Sequence, residues 1–294
     1  MATAADWVEG ARLRTLPAAF SPVIVGAAVA FWYESFSWGM SLLALVVSLA
    51  LQIGVNFAND YSDGIRGTDD DRVGPVRLVG SGLVPPRRVR NAAFSCFAIA
   101  AVAGLVLVLW SQHWWLLAVG VACILAAWFY TGGKKPYGYH GLGEVFVFIF
   151  FGLVAVGGTI YIQLDRVPLA GWFGACAIGF LAAAILVANN LRDIVGDRES
   201  GKKTLATRMG DRGTRFFLSG LVLLTAVSVV LLALNTTPVA LLGLVLVLVL
   251  SPAMADVMQG ATGKALIGVL KQIGIAELVC AIGIAVGLVL GRLL

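Results

Sequence analysis

Two short acidic segments, each directly following a long apolar run, carry the residue types best suited to chemistry. The first, residues 56–72, reads NFANDYSDGIRGTDDDR and holds five of the sixteen acidic residues. The second, residues 189–197, reads NNLRDIVGD. Crowded carboxylates disfavour ionisation unless positive charge lies between them. Because Mg²⁺ takes one or two carboxylates together with phosphate oxygens, the two segments predict metal ions held against an anionic substrate.

Helical spacing selects particular carboxylates within these segments. Positions i, i+3, i+4 and i+7 share one helix face, so Asn56, Asp60 and Asp63 should lie on one side of the first segment. Asp193 and Asp197 stand one turn apart in the second segment. A carboxylate at the edge of an apolar membrane helix is costly, which makes Asp60 and Asp193 functional candidates rather than structural ones.

Basic side chains beside the acidic segments are suited to neutralising phosphate charge through hydrogen bonds. They are Arg66, Arg72, Arg77, Lys134, Lys135, Lys202 and Lys203. Asp69, Asp70 and Asp71 are most simply a solvated loop, with Asp69 able to reach the site. Glu277, inside an apolar run, fits a buried carboxyl as well as a catalytic one.

The elements that must position these residues are membrane helices. The 294 residues are 60% hydrophobic and 13% charged, with a mean hydropathy of +0.93. Globular domains are typically about 45–50% apolar and about 25% charged, so the chain is expected to be a polytopic, all-α integral membrane protein. The four cysteines lie in apolar runs without CxxC spacing, and the basic residues lie in short loops. These features argue against a zinc site and against nucleic acid as a partner.

Apolar runs near the length needed to cross a bilayer, about 20 residues, predict nine spans. They cover residues 16–33, 38–58, 91–110, 114–130, 145–163, 168–190, 216–234, 238–256 and 272–291. With nine spans, 19 of the 21 Lys and Arg residues fall on the side of the N-terminus, and only Arg166 and Arg292 fall opposite. The positive-inside rule therefore predicts a multi-pass protein of the cell (plasma) membrane with its N-terminus and both acidic segments in the cytoplasm.

A weak internal repeat accompanies the spans. Asn56-xxx-Asp60 closes the second span and Asn189-xxx-Asp193 closes the sixth, and each is followed by a charged loop. Spans 1–4 and 5–8 are therefore candidates for two similar units, with span 9 added, in a single domain covering residues 1–294.

The first acidic segment resembles the first motif of the UbiA superfamily of intramembrane aromatic prenyltransferases, NDxxDxxxD. Asn59, Asp60 and Asp63 match it. Gly67 stands where the family has its last aspartate, and Asp69, two residues later, is the candidate replacement.

Two further motifs and several longer runs extend this resemblance. Asp193 and Asp197 match the second motif, DxxxD, and Tyr130 with Lys134 matches YxxxK after the fourth span. The runs that look like the 1,4-dihydroxy-2-naphthoate prenyltransferases of menaquinone synthesis, in their actinobacterial form, are residues 12–17, 59–69, 74–84, 136–144 and 189–206.

The resemblance implies a nine-helix bundle and a specific reaction. A polyprenyl chain would pass from polyprenyl diphosphate to 1,4-dihydroxy-2-naphthoate, with loss of CO₂ and diphosphate, giving demethylmenaquinol. The implied ligands of two Mg²⁺ ions are Asp60, Asp63, Asp193 and Asp197, with Asp69 possible; these four aspartates and Lys134 form the implied catalytic set. The implied substrate-binding residues are Asn56, Asn59, Arg66, Arg72, Arg77, Tyr130, Lys134, Tyr139, Asn189, Asn190 and Lys202.

Other acceptors and other classes of membrane protein are also compatible with these residues. The same chemistry could act on 4-hydroxybenzoate, homogentisate, haem b or a chlorophyll precursor. A cation-coupled transporter would also place carboxylates among apolar helices, but typically near the bilayer midplane rather than at one rim. A phosphatidyltransferase of the CDP-alcohol type would use one compact acidic motif without a distant second copy.

Overall fold

The computed structural model describes residues 2–67 and 77–294, and these residues contain helices and no strand. Arg72 and Asp69 to Asp71 lie outside the described residues. The helices are α1 (Ala4–Gly10), α2 (Pro17–Trp32), α3 (Trp38–Gly64), α4 (Pro86–Ser111), α5 (Leu116–Phe129), α6 (Gly143–Leu164), α7 (Leu169–Arg192), α8 (Ile194–Glu199), α9 (Leu205–Leu234), α10 (Pro238–Met258) and α11 (Ala265–Leu293).

Most of these helices are long and apolar enough to cross a membrane. Seven qualify individually within the described part of the chain: α3, α4, α6, α7, α9, α10 and α11. The pair Ala4–Thr15 and Pro17–Trp32, bent by 51°, becomes an eighth if it is counted as one span. Helix α5 is apolar but has only 14 residues. The predicted all-helical, multi-span class is confirmed; the described residues give seven to eight candidate spans, and the predicted number of nine is not confirmed.

Buried apolar side chains and close contacts between glycines pack the helices of the bundle together. The core joins α2, α6, α7, α9, α10 and α11, and in it Val25, Ile178 and Ile284 are fully buried. Where α6 crosses α7, a Cβ on Gly152 would lie 2.7 Å from the Cα of Gly179, so a larger residue would force the helices apart. Because lipid tails are as apolar as the helix surfaces, membrane helices associate mainly through close van der Waals packing of this kind.

A second, smaller core positions the loop that follows the first acidic segment. Leu78 in this loop is fully buried and packs in a cluster with Phe57 of α3 and Phe97 of α4. A Cβ on Gly10 would come within 2.7 Å of Leu78 Cδ1, so α1 closes over the same loop. The loop therefore folds back against the end of α3.

Candidate active site

One cavity of about 1140 Å³ lies among α2 to α7 and α11. Its lining changes from apolar to polar along α3. Ala44 and Val47 line it in the N-terminal half of the helix, and Asn56, Asn59 and Asp63 line it near the C-terminal end. Residues of α4 and α5 add mainly aliphatic side chains and glycines. The cavity therefore has a polar end and an apolar length.

Both acidic segments contribute to the polar end. Asn189, Asn190, Asp193 and Asp197 line the same cavity as the end of α3. Asp193 lies at the break between α7 and α8, and its carbonyl accepts a 2.8 Å hydrogen bond from the backbone amide of Asp197. The structure thus brings together two segments that are more than a hundred positions apart in the chain.

Tyr139 connects the two segments across the cavity. Its hydroxyl donates a 2.5 Å hydrogen bond to Oδ1 of Asp63, and Lys202 Nζ lies 4.6 Å from the centre of its ring. Lys202 Nζ is in turn 3.8 Å from Oδ1 of Asp197. Burial, and then the nearby Asp63 carboxylate, raise the pKa of Tyr139, so its hydroxyl remains a proton donor at neutral pH.

A carboxylate of each acidic segment also has an arginine beside it. Arg77 Nη2 lies 3.8 Å from Oδ2 of Asp63. Arg192 binds Asp193 through two hydrogen bonds, Nε to Oδ1 at 2.6 Å and Nη2 to Oδ2 at 2.7 Å. Sequence reasoning did not assign Arg192 to the site, although its place between Asn189 and Asp193 was a usable signal.

Hydrogen bonds orient two cavity-lining amides as donors. Asn59 Oδ1 accepts a 2.8 Å bond from the hydroxyl of Thr131. Asn189 Oδ1 accepts a 2.8 Å bond from Arg192 Nη2. Because each carbonyl oxygen already has a protein donor, the amino groups of these asparagines are the parts available to an anion.

Two other amides have the opposite orientation. Asn190 donates its Nδ2 at 2.9 Å to Oε1 of Glu144, a carboxylate that is itself buried. Asn56 donates its Nδ2 at 2.9 Å both to the Ala11 carbonyl and to Thr15 Oγ1. These asparagines therefore retain carbonyl oxygens as hydrogen-bond acceptors or metal ligands. Glu144 was also not assigned to the site from the sequence.

Asp60 has a different environment from the other motif carboxylates. It is 1% exposed and does not line the cavity. Its Oδ2 accepts a 2.8 Å bond from the amide of Leu78, and its Oδ1 accepts a 3.0 Å bond from the amide of Val79. The carboxylate thus holds the returning loop that carries Arg77.

Two predicted phosphate ligands also lie away from the cavity lining. Arg66 donates to the carbonyls of Thr131 and Gly133 and so joins the end of α3 to the loop after α5. Lys134 is exposed and does not line the cavity, whereas Tyr130 of the same motif does.

The donor set fits Mg²⁺ shared with a phosphate ligand rather than a metal enclosed by protein. Among residues 2–67 and 77–294, no three His, Cys, Asp or Glu side chains converge. Mg²⁺ usually binds one or two carboxylates and takes its remaining ligands from phosphate and water. Asp63 in one segment, and Asp193 with Asp197 in the other, supply such carboxylates on one cavity.

A helical membrane bundle enclosing a carboxylate-rich polar end and a long apolar lining defines a class: intramembrane enzymes for substrates with an anionic head and a lipid tail. Residues 19–264 match the UbiA prenyltransferase family. The chain belongs to that family, as its motifs predicted.

Relatives within this family match the chain closely. A protein of Mycobacterium tuberculosis named 1,4-dihydroxy-2-naphthoate octaprenyltransferase is 53% identical over 293 residues, covering 100% of both chains. A protein of the same name from Escherichia coli is 41% identical over 215 residues, covering 71% of this chain and 70% of its own.

Solved structures share the fold at low sequence identity. The apo structure of a UbiA homolog from Aeropyrum pernix has a TM-score of 0.72 at 16% identity, covering 95% of this chain and 98% of its own. A UbiA homolog from Archaeoglobus fulgidus bound to GPP and Mg²⁺ has a TM-score of 0.65 at 14% identity, covering 96% of this chain and 99% of its own.

Proposed function

We propose that this chain transfers a polyprenyl group from polyprenyl diphosphate to 1,4-dihydroxy-2-naphthoate, releasing CO₂ and diphosphate and forming demethylmenaquinol for menaquinone synthesis. The full-length similarity to the mycobacterial relative of that name supports the choice of acceptor. The observation that carries the proposal is that both acidic segments adjoin a long apolar lining in one and the same cavity.

At the polar end, the chain's own donors would bind the diphosphate. Arg77 and Lys202 line the cavity beside Asp63 and Asp197 and offer positive charge. The amino groups of Asn59 and Asn189 would donate to diphosphate oxygens. Hydrogen bonds to an ionised group are stronger than neutral ones, so these contacts would stabilise the departing charge.

Asp63, Asp193 and Asp197 would hold two Mg²⁺ ions against the same diphosphate. When bound, Mg²⁺ neutralises charge on a phosphate leaving group. A fold neighbour from Archaeoglobus fulgidus binds GPP and Mg²⁺, which supports the pairing of metal and prenyl diphosphate. Tyr139 would hold Asp63 in place through its hydroxyl, and Asp60 would act indirectly by fixing the loop that carries Arg77.

The apolar part of the cavity would accommodate the isoprenoid tail. Gly120 and Gly158 line it, and a Cβ on either would meet no atom within 4 Å. Phe150 and Phe151, in the π-helical turn of α6, contribute aromatic surface to the same lining. A tail enclosed here excludes water from the reacting carbon.

Three bond changes make up the proposed transfer. The allylic C–O bond breaks with its electron pair leaving on the diphosphate. The resulting allylic carbon bonds to the electron-rich ring carbon that bears the carboxylate. The bond to CO₂ then breaks and returns its electron pair to the ring.

Nine spans, with the N-terminus and the polar end of the cavity facing the cytoplasm, are part of this proposal. The support is the placement of 19 of the 21 basic residues on one side under that topology. The whole chain, residues 1–294, would act as one catalytic unit.

Product analysis tests the proposal. The purified chain would be incubated with Mg²⁺, a polyprenyl diphosphate and either 1,4-dihydroxy-2-naphthoate or 4-hydroxybenzoate, and the products identified by mass spectrometry. We expect demethylmenaquinol from the naphthoate, suppressed by EDTA and by Asp193→Asn. Prenylation of 4-hydroxybenzoate alone, or undiminished product with EDTA, would overturn it.

A further inference from the structure

The short helical turn Leu13–Thr15 is fixed on two sides. On one side, Thr15 Oγ1 accepts hydrogen bonds from Gln52 Nε2 at 2.8 Å and from Asn56 Nδ2 at 2.9 Å. On the other side, the carbonyl oxygen of Arg14 lies 3.4 Å from the place a Cβ on Gly274 of α11 would occupy. The turn therefore sits between α3 and α11.

Gln52 presents an acceptor without a protein partner. It lines the cavity, is 6% exposed, and its Oε1 is buried with no hydrogen-bond partner among the residues the structure describes. Its amide orientation follows from Thr15, whose single hydroxyl proton goes to the Arg12 carbonyl at 2.9 Å. Thr15 can then only accept from Gln52, so Nε2 must face Thr15 and Oε1 is the group left over. A buried carbonyl without a donor is unfavourable, and a ligand hydroxyl would satisfy it.

Besides Arg12, which directly precedes the turn, two cations line the cavity at this place. One is Arg14, and the other is Lys271, which stands one helical turn before Gly274 on α11. Within the described ranges, neither forms an ion pair with a carboxylate. The cations Arg77, Arg192 and Lys202 differ, because each lies beside an aspartate of the acidic segments.

We infer that Gln52, Arg14 and Lys271 form the subsite for the aromatic acceptor and select a hydroxylated aromatic carboxylate. This inference rests on the proposed function. The two cations bind the carboxylate, and Gln52 Oε1 accepts a hydrogen bond from a ring hydroxyl. In 1,4-dihydroxy-2-naphthoate the hydroxyl next to the carboxylate bonds internally to it, so the hydroxyl at position 4 is the free donor.

The location suits an acceptor below the diphosphate. Gln52 precedes Asp63 by eleven positions on the same cavity-lining face of α3, a separation of about 16 Å along the helix axis. That length leaves room for a diphosphate near Asp63 and a bicyclic ring near Gln52. The allylic carbon would then lie between them.

Equilibrium binding to the full chain in detergent, without turnover, tests the carboxylate contact. The probes are 4-hydroxy-2-naphthoate and 1-naphthol, which lacks the carboxylate. We expect Arg14→Gln and Lys271→Gln each to weaken binding of the naphthoate about tenfold or more, since a hydrogen bond to a charged group is lost. Binding of 1-naphthol and of polyprenyl diphosphate should stay the same, and Lys271→Arg should restore the naphthoate.

Lys264→Gln is the matched control, because Lys264 precedes α11, is exposed and does not line the cavity. It should bind both probes as the unaltered chain does. Equal weakening of naphthoate and naphthol, weakening of diphosphate instead, or no change in either variant would overturn the carboxylate assignment.

The hydroxyl contact has its own pair of probes, 4-hydroxy-2-naphthoate and 2-naphthoate. Gln52→Leu should weaken the first about fivefold to tenfold relative to the second, the range of one ordinary hydrogen bond. Unchanged diphosphate binding would show that the variant is folded. An unchanged ratio would refute the role of Gln52. Because these measurements need no product, failure of the transfer reaction would be a separate result.

Discussion

Replacing Asp60 by asparagine should release the loop at Leu78 and Val79 rather than a metal ion. Both carboxylate oxygens of Asp60 accept backbone amides, at 2.8 Å and 3.0 Å, in a position that is 1% exposed. Asparagine keeps one oxygen but turns an NH₂ group towards the other amide. Two donors then face each other, and one buried N–H loses its partner.

The magnitude follows from these two bonds. A hydrogen bond to a charged group contributes about 1.5–3 kcal/mol, a neutral one about 0.5–1.5 kcal/mol, and an unsatisfied buried donor costs about 1–3 kcal/mol. Weakening one bond and losing the other therefore destabilises the closed loop by roughly 3–4 kcal/mol. Since about 1.4 kcal/mol is a factor of ten, opening of the loop should increase by about two to three orders of magnitude.

Hydrogen exchange with mass spectrometry measures this opening directly. Peptides containing Leu78 and Val79 should exchange about 100- to 1000-fold faster in Asp60→Asn, because the opening free energy sets their protection. Prenyl transfer should fall as Arg77 loses its position beside Asp63. Asp193→Asn is the comparison: it should leave exchange at this loop unchanged and raise the Mg²⁺ concentration needed for activity. Unchanged exchange in Asp60→Asn together with a large loss of Mg²⁺ affinity would refute the loop role and make Asp60 a metal ligand.

Three further substitutions, one of them with a matched control variant, test the rest of the site. Tyr139→Phe removes the hydroxyl bonded to Asp63 and should raise the Mg²⁺ concentration for half-maximal activity about tenfold, as losses of ligand-orienting bonds do. Tyr137→Phe is its control, because that hydroxyl donates to the carbonyl of Ala126 at 2.8 Å, and a matching effect there would contradict the assignment. Gly158→Leu adds bulk to the apolar lining and should lower kcat/KM for long polyprenyl diphosphates while sparing geranyl diphosphate; equal losses for both would show that the tail lies elsewhere. Lys134→Ala should leave the KM for the prenyl donor unchanged, because the Lys134 side chain is exposed. A raised KM would show that Lys134 binds the prenyl donor after all.

The membrane class and the family were readable from the sequence because both depend on local patterns. Apolar runs of membrane length need no tertiary information, and helices form at each of those runs. The predicted number of spans was not confirmed. Helix α5 has 14 residues and Pro17–Trp32 follows a 51° bend, so run length alone did not separate full spans from shorter or broken helices.

Motif spacing predicted which segments meet but not how each side chain is used. Asp60 and Asp63 are three positions apart and share a helix face by spacing, yet one turns to a backbone loop and the other to the cavity. Lys134 matches its motif and is exposed, whereas Arg192, adjacent to a motif aspartate, binds that aspartate in the cavity wall.

By itself, the sequence determined an apolar helical chain with two acidic segments of a known family, because hydropathy and motif spacing are properties of neighbouring residues. Only the tertiary structure decided which contacts these residues make. The backbone amide of Leu78 donates to the Asp60 carboxylate, the Tyr139 hydroxyl donates to Asp63, and the side-chain carbonyl of Gln52 has no donor among the described residues. The physical reason is that several groups far apart in the chain could form a hydrogen bond with the same polar atom. Only the folded bundle determines which of these groups comes close enough to form it.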